Sequence, residues 1–211
     1  MIHGTNEASL GPLAEELGCE FVAGDIGEFS TSQKLAEKSL SRFGRIDILI
    51  NNAGINIRTP FLELTPEEWD RVLRVNLTGT FYACKCVIPH MAAQKSGVIV
   101  NMSSRAAKTP HASASACYGA GKAGIEALTR QLAYDFGPDG IRVNAICPGP
   151  VETDMSRQWT EDYREKVLAD IPVRRLGRSE DIADLAVFLA SEMSGFITGE
   201  SININGGKYM N

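Results

Sequence analysis

The chain has 211 residues, 44% of them hydrophobic, and its 21 basic and 26 acidic side chains leave a net charge of −5. That length suits a single domain, residues 1–211, with a sizeable core. The charges are mixed, without a basic block, which argues against nucleic acid as a partner, and no apolar run approaches the ~20 residues that cross a bilayer, which argues against a membrane. Met1-Ile2-His3-Gly4 has neither the basic start nor the apolar core of a signal peptide. The cysteines (Cys19, Cys84, Cys86, Cys117, Cys147) are odd in number and scattered, and His3, His90 and His111 offer no ligand spacing. Buried thiols in a reducing cytoplasm, and no metal, are the expectation.

Along the chain, Ala8 to Leu17 has helical spacing and Gly18 stops it. Phe21 to Ile26 reads as a short buried strand. Ser30 or Ser32 is the expected cap of the next helix, which Gly44 ends. Ile46 to Ile50 reads as a strand running into Asn51-Asn52-Ala53-Gly54, small residues that let backbone approach a ligand. Thr65-Pro66-Glu67-Glu68 is a strong helix start, and the spacing predicts one long helix to about Met91. Val98 to Met102 and Gly140 to Ile146 read as strands, Tyr118 to Phe136 as a helix. A long connection, Val151 to Arg178, contains a helix from Glu161 to Ala169 and carries Met155, Trp159 and Tyr163. Ser179-Glu180-Asp181 caps a helix to Leu189, and Ser201 to Ile204 is the last strand.

Strands alternating with helices predict an α/β fold with a doubly wound parallel sheet. Ligands in such folds bind beyond the carboxyl ends of the strands. Asp25, Asn51 to Gly54, Ser104 and Pro148-Gly149 each follow a predicted strand. Tyr118 and Lys122 stand four apart on a helix and so share a face. Alone, that pair is an ordinary solvated pattern. Beside the other clusters it becomes a candidate proton-transfer centre, with a cation expected to lower the phenol pKa.

The set resembles the short-chain dehydrogenase/reductase family, from about residue 7 to the end. The resemblance implies a Rossmann-like fold and hydride transfer between a nicotinamide cofactor and a carbonyl or secondary alcohol. It implies Asn76, Ser104, Tyr118 and Lys122 as the catalytic residues. Asp25 and Ile26 would contact the adenine. Asn52, Ala53 and Gly54 would line the cofactor with Tyr118 and Lys122, and Pro148, Gly149, Val151 and Thr153 would hold the nicotinamide carboxamide. Ser104 and Tyr118 lie fourteen positions apart, one more than the commonest family spacing, and the surplus is expected between Arg105 and Ala116. A homotetramer is the family's common assembly.

The family's opening strand, glycine-rich turn and first helix have no counterpart in these residues, and Met1 to Asn6 resembles the end of its second strand. The chain is therefore expected to lack the first strand-helix unit and to be truncated at its N-terminus. Gly4-Thr5-Asn6 places no acid after that strand, which suits the 2′-phosphate of NADP rather than NAD. The start His3-Gly4-Thr5 and the ending Gly206-Gly207-Lys208-Tyr209-Met210 look most like 3-oxoacyl-carrier-protein reductases. Sugar, polyol or steroid-like alcohol dehydrogenases share the same motifs, and a non-catalytic scaffold relative would keep the fold without the chemistry.

Overall fold

The computed structural model describes residues 1–110, 114–153 and 156–210. Six strands and seven α-helices alternate among them. In chain order they are β1 (Ile2–Gly4), α1 (Glu7–Glu16), β2 (Phe21–Ala23), α2 (Phe29–Phe43), β3 (Ile48–Asn51), α3 (Pro66–Leu73), α4 (Gly79–Gln94), β4 (Gly97–Met102), α5 (Ala116–Phe136), β5 (Ile141–Pro148), α6 (Glu161–Ala169), α7 (Ser179–Ala190) and β6 (Ser201–Ile204). Every strand pairing is parallel.

β4 and β5 form the buried centre, because their sequences are almost continuously apolar and both faces are covered. On one face Ile99, Ile141 and Val143 pack with Ala36 of α2, Val87 and Met91 of α4 and Ala133 of α5. On the other, Val100 and Ile146 pack with Ala186 and Leu189 of α7. A polar seam crosses this core and pins the register. Asn51 donates to Asn101 at 2.8 Å, and Asn101 donates to Thr129 of α5 at 2.9 Å. Gly140 turns the chain from α5 into β5 at φ +75°, where a Cβ would also overlap the Lys95 carbonyl oxygen.

The sheet is in two pieces, β1–β2 and β3–β4–β5–β6. A cleft of about 500 Å³ separates β1 from β3 and is lined by Ile2, Ile26, Leu35, Ile48 and Ile50 among others. Strand β3 is covered on one side only. Leu49 joins the core, whereas Ile48 and Ile50 on its other side remain 48% and 45% exposed. The segments that follow β2 and β3 both reach the helical stretch around Asn76 and Gly79. Ile26 packs against Gly79, and the Ile55 N–H reaches Asn76 at 2.8 Å.

Several local expectations are corrected. β2 stops at Ala23, because the Asp25 carboxylate accepts the Gly27 N–H at 2.8 Å and turns the chain. α2 begins at Phe29 behind Glu28, which makes no side-chain cap, so neither Ser30 nor Ser32 caps it. Thr65 does open α3 with a complete capping box, Thr65 and Glu68 each bonding the other's backbone N–H. The predicted long helix is interrupted by a π-turn at Arg74–Thr78. At α7 the cap position belongs to Arg178, whose N–H donates to Asp181 at 2.7 Å.

Candidate active site

Helix α5 sets Tyr118, Lys122 and Glu126 on successive turns of one face. Ser104 follows β4 at its carboxyl end and caps the 3₁₀ turn Arg105–Ala107, accepting the Ala106 N–H at 3.1 Å. Its hydroxyl acts on the Tyr118 phenol, pulling the phenol pKa down. The expected surplus residue falls in the loop that follows, part of which, with His111, lies outside the described residues.

The Tyr118 phenol titrates above its ordinary value, because burial disfavours the phenolate more than the Ser104 hydroxyl favours it. This corrects the expectation that Lys122 would lower it. The Lys122 ammonium stands 5.7 Å from the Tyr118 ring centroid and donates instead to the Met102 carbonyl at 2.6 Å. Lys122 is only 4% exposed, and burial brings its own pKa down to about 8, against a smaller opposing pull from Cys147.

Asn76 sits at the centre of the π-turn and is fully buried. Its carboxamide clamps the loop after β3 from both ends, accepting from Ile55 N at 2.8 Å and donating to Ile55 O at 2.9 Å. Thr80 donates to its carbonyl at 2.8 Å. Gly54 lies between these groups: a Cβ there would stand 3.1 Å from Asn76 Oδ1 and 3.6 Å from Lys122 Nζ. Backbone can therefore approach both side chains only because residue 54 has none. Asn52 and Ala53, next to it, line the cleft.

Pro148 ends β5 opposite Ile204, and Gly149 continues that pairing through its N–H to Ile204 O at 3.0 Å. Val151 bridges Gly177, closing the base of the long connection. Thr153 is exposed, and its N–H donates to Ser156 at 2.8 Å. Trp159 and Tyr163 stack edge to face at 5.1 Å, while Met155 lies outside the described residues. Asp25 and Ile26 stand at the end of β2, apart from the Tyr118 cluster. Asp25 is engaged in its own turn, and Ile26 faces the cleft.

These residues suit the nicotinamide-ribose end of a dinucleotide. The Lys122 ammonium has three N–H donors and, among the described residues, one hydrogen-bond acceptor, so it retains donors for sugar hydroxyls. Sequence reasoning missed Glu126, whose carboxylate lies beneath Lys122 and joins Ser103 to Cys147. The four-residue spacing from Lys122 was its only signal.

Residues 1–208 match the family model described as enoyl-(acyl carrier protein) reductase. The chain is 35% identical over 189 residues to the 3-oxoacyl-[acyl-carrier-protein] reductase FabG of Staphylococcus epidermidis, an alignment covering 90% of this chain and 77% of the relative. It is 38% identical to the acetoacetyl-CoA reductase of Cupriavidus necator, with 92% and 79% covered. Among solved structures, a gluconate 5-dehydrogenase from Burkholderia cenocepacia in complex with NADP and tartrate superposes with a TM-score of 0.92 at 30% identity, covering 98% of this chain and 84% of that one. Together with the parallel α/β fold, these likenesses show that the chain belongs to the short-chain dehydrogenase/reductases, a family of NAD(P)-dependent oxidoreductases.

Proposed function

We propose that the chain reduces a carbonyl to a secondary alcohol with NADPH, and that Tyr118 delivers the proton. The observation that carries this reading is the placement of Tyr118 and Lys122 on one face of α5, with the Lys122 ammonium 5.7 Å from the phenol ring and Ser104 at the end of β4, while burial holds the phenol pKa above its ordinary value and so keeps it protonated through the neutral range. A protonated phenol is the form that gives a proton to a carbonyl oxygen. Ser104 donates a second hydrogen bond to that oxygen as charge develops on it. Lys122 binds the nicotinamide ribose. Asn76 holds a water that links Lys122 to solvent. Asn52, Ala53 and Gly54 line the cofactor with Tyr118 and Lys122; Pro148, Gly149, Val151 and Thr153 hold its carboxamide; and Asp25 and Ile26 meet its adenine. The bound nicotinamide supplies the hydride.

NADP is preferred over NAD because no acid follows β1, where Gly4-Thr5-Asn6 stands, and the gluconate 5-dehydrogenase named above was solved with NADP. A second reading narrows the substrate to a 3-oxoacyl thioester, as the names of the two curated relatives suggest. Docking an acidic carrier calls for a basic surface, and Lys95 is paired with Asp139, which favours a coenzyme A ester over a carrier protein. The test is NADPH oxidation with acetoacetyl-CoA, set against NADP reduction with gluconate. Turnover of the thioester alone is expected, and absence of both activities would sink the reading.

Among the described residues no glycine-rich turn joins a strand to a helix to hold the pyrophosphate of the cofactor. We assign the pyrophosphate to the cleft between β1 and β3, which the described residues leave open. Residues 1–211 alone are accordingly expected to bind NADPH weakly. Sub-micromolar affinity by calorimetry on this chain would refute that expectation. A homotetramer through α4, α5 and the C-terminal segment is supported by exposed apolar side chains there, Phe81, Tyr134 and Phe196. The five cysteines are free thiols, in keeping with a cytoplasmic setting. No described helix is long and apolar enough to cross a membrane.

A further inference from the structure

Three elements carry the candidate site: the end of β4 (Ser104), the end of β5 (Pro148-Gly149) and α5 (Tyr118, Lys122). We propose that Glu126 is a positioning residue whose buried carboxylate ties these three together and so sets the contact between Ser104 and Tyr118. The proposal rests on the catalytic reading of that contact.

Glu126 is 8% exposed. Acidic side chains are rarely buried so deeply without partners. Its Oε1 accepts from the Ser103 hydroxyl at 3.1 Å and from the Cys147 thiol at 3.1 Å. Ser103 immediately precedes Ser104, and Cys147 immediately precedes Pro148. The Ser103 oxygen also lies 3.2 Å from the Lys122 carbonyl, and its N–H donates to Ile146 O at 2.8 Å. One carboxylate oxygen thus fixes the residue just after β4 and the last but one of β5 against the helix that holds Tyr118. The Cys147 thiol donates to this oxygen, and the single Ser103 proton is shared between it and the Lys122 carbonyl.

The groups facing this cluster are few. Tyr118 is faced by Ser104 and Lys122. Glu126 is faced by Ser103 and Cys147 from the strands, and Lys108 acts on Cys147 from the loop after β4. Deleting the carboxylate has two opposite consequences for Tyr118. Losing its negative charge favours the phenolate. Releasing Ser103 withdraws the Ser104 hydroxyl, which disfavours it. The direction of the Tyr118 shift therefore separates a positioning role from a purely electrostatic one.

The test uses the full chain with ¹³C-labelled tyrosine, Tyr118 being assigned by its loss in Tyr118→Phe. In Glu126→Ala the Tyr118 titration midpoint is expected to rise and kcat to fall about 100-fold, the scale of a small misplacement of a catalytic group, with KM within about twofold. Glu126→Gln, which loses the charge but keeps an acceptor oxygen, is expected to restore the midpoint and recover at least about tenfold in kcat. A folded Glu126→Ala with an unchanged or lowered midpoint overturns the proposal. If Glu126→Ala does not fold, Ser103→Ala decides in the same way, since it cuts one of the same ties. If the wild-type chain shows no turnover, the functional reading fails and the Tyr118 midpoint alone judges the role of Glu126.

Discussion

Tyr118→Phe is expected to lower turnover by about 10²–10⁴-fold, the range for losing a general acid, with the fold intact. The substitution removes one hydroxyl and keeps the ring, so packing in the half-buried pocket is preserved. Its structural cost is at most that of one ordinary hydrogen bond, about 1 kcal/mol. The chemical cost is larger because no other described side chain has a titratable proton on Ser104. Lys122 is the nearest alternative donor, but its ammonium points to the Met102 carbonyl. Steady-state rates at saturating NADPH, beside circular dichroism and a thermal midpoint, make the comparison. Activity that survives the change would remove Tyr118 from the proposed mechanism.

The stability of the wild-type chain is expected to rise with pH from about 8 to about 9 and then to turn over. Burial lowers the folded pKa of Lys122 from 10.5 to about 8. Between those values the unfolded chain holds a proton that the folded chain has released. Stability therefore rises with pH there, by up to ~1.4 kcal/mol per unit for a single proton. Cys84 and Cys147 act in the opposite sense. Burial raises both thiols from 9.0 to about 12, with Glu126 adding to the rise at Cys147. Above pH 9 the unfolded chain loses thiol protons that the folded chain keeps, so stability falls. Two thiols outweigh one lysine, which places the maximum near pH 9. Denaturant melts across this range measure the curve, and Lys122→Met should erase the rising limb. A rising limb that persists in that variant would show that Lys122 is not its source.

Much of this architecture is legible in the residues themselves. The capping box at Thr65 and Glu68, the apolar runs of β4 and β5, and the four-residue step from Tyr118 to Lys122 are local signals, and local physics fixes them. Other features depend on contacts across the fold. The π-turn around Asn76 has no breaker residue. It is held by Ile55, twenty-one residues earlier, which the Asn76 carboxamide grips from both sides. The cap of α2 escaped because Ser32, a good capping residue in isolation, is buried against the core instead. The sign of the Tyr118 shift was misjudged for a related reason. Sequence spacing places a cation beside the phenol but cannot weigh that charge against burial. Glu126 went unnoticed because its partners, Ser103 and Cys147, are distant in sequence and meet it only when β4 and β5 pair.

The π-turn at Arg74–Thr78 has a further consequence, in the vocabulary of insertions and deletions. A π-turn accommodates one residue more than the α-helical turn it replaces, and such bulges recur at functional sites. The stretch from Pro66 to Gln94 is in this sense an α-helix carrying one surplus residue. Shortening residues 74–78 by one would return the turn to α geometry, with α3 and α4 free to keep their packed faces. The loss would fall on Asn76, which would no longer be pushed out of the helical ladder toward Ile55, and the loop carrying Asn52 to Gly54 would lose its clamp. One surplus residue in a helix thus separates a scaffold that folds from a scaffold that holds a site.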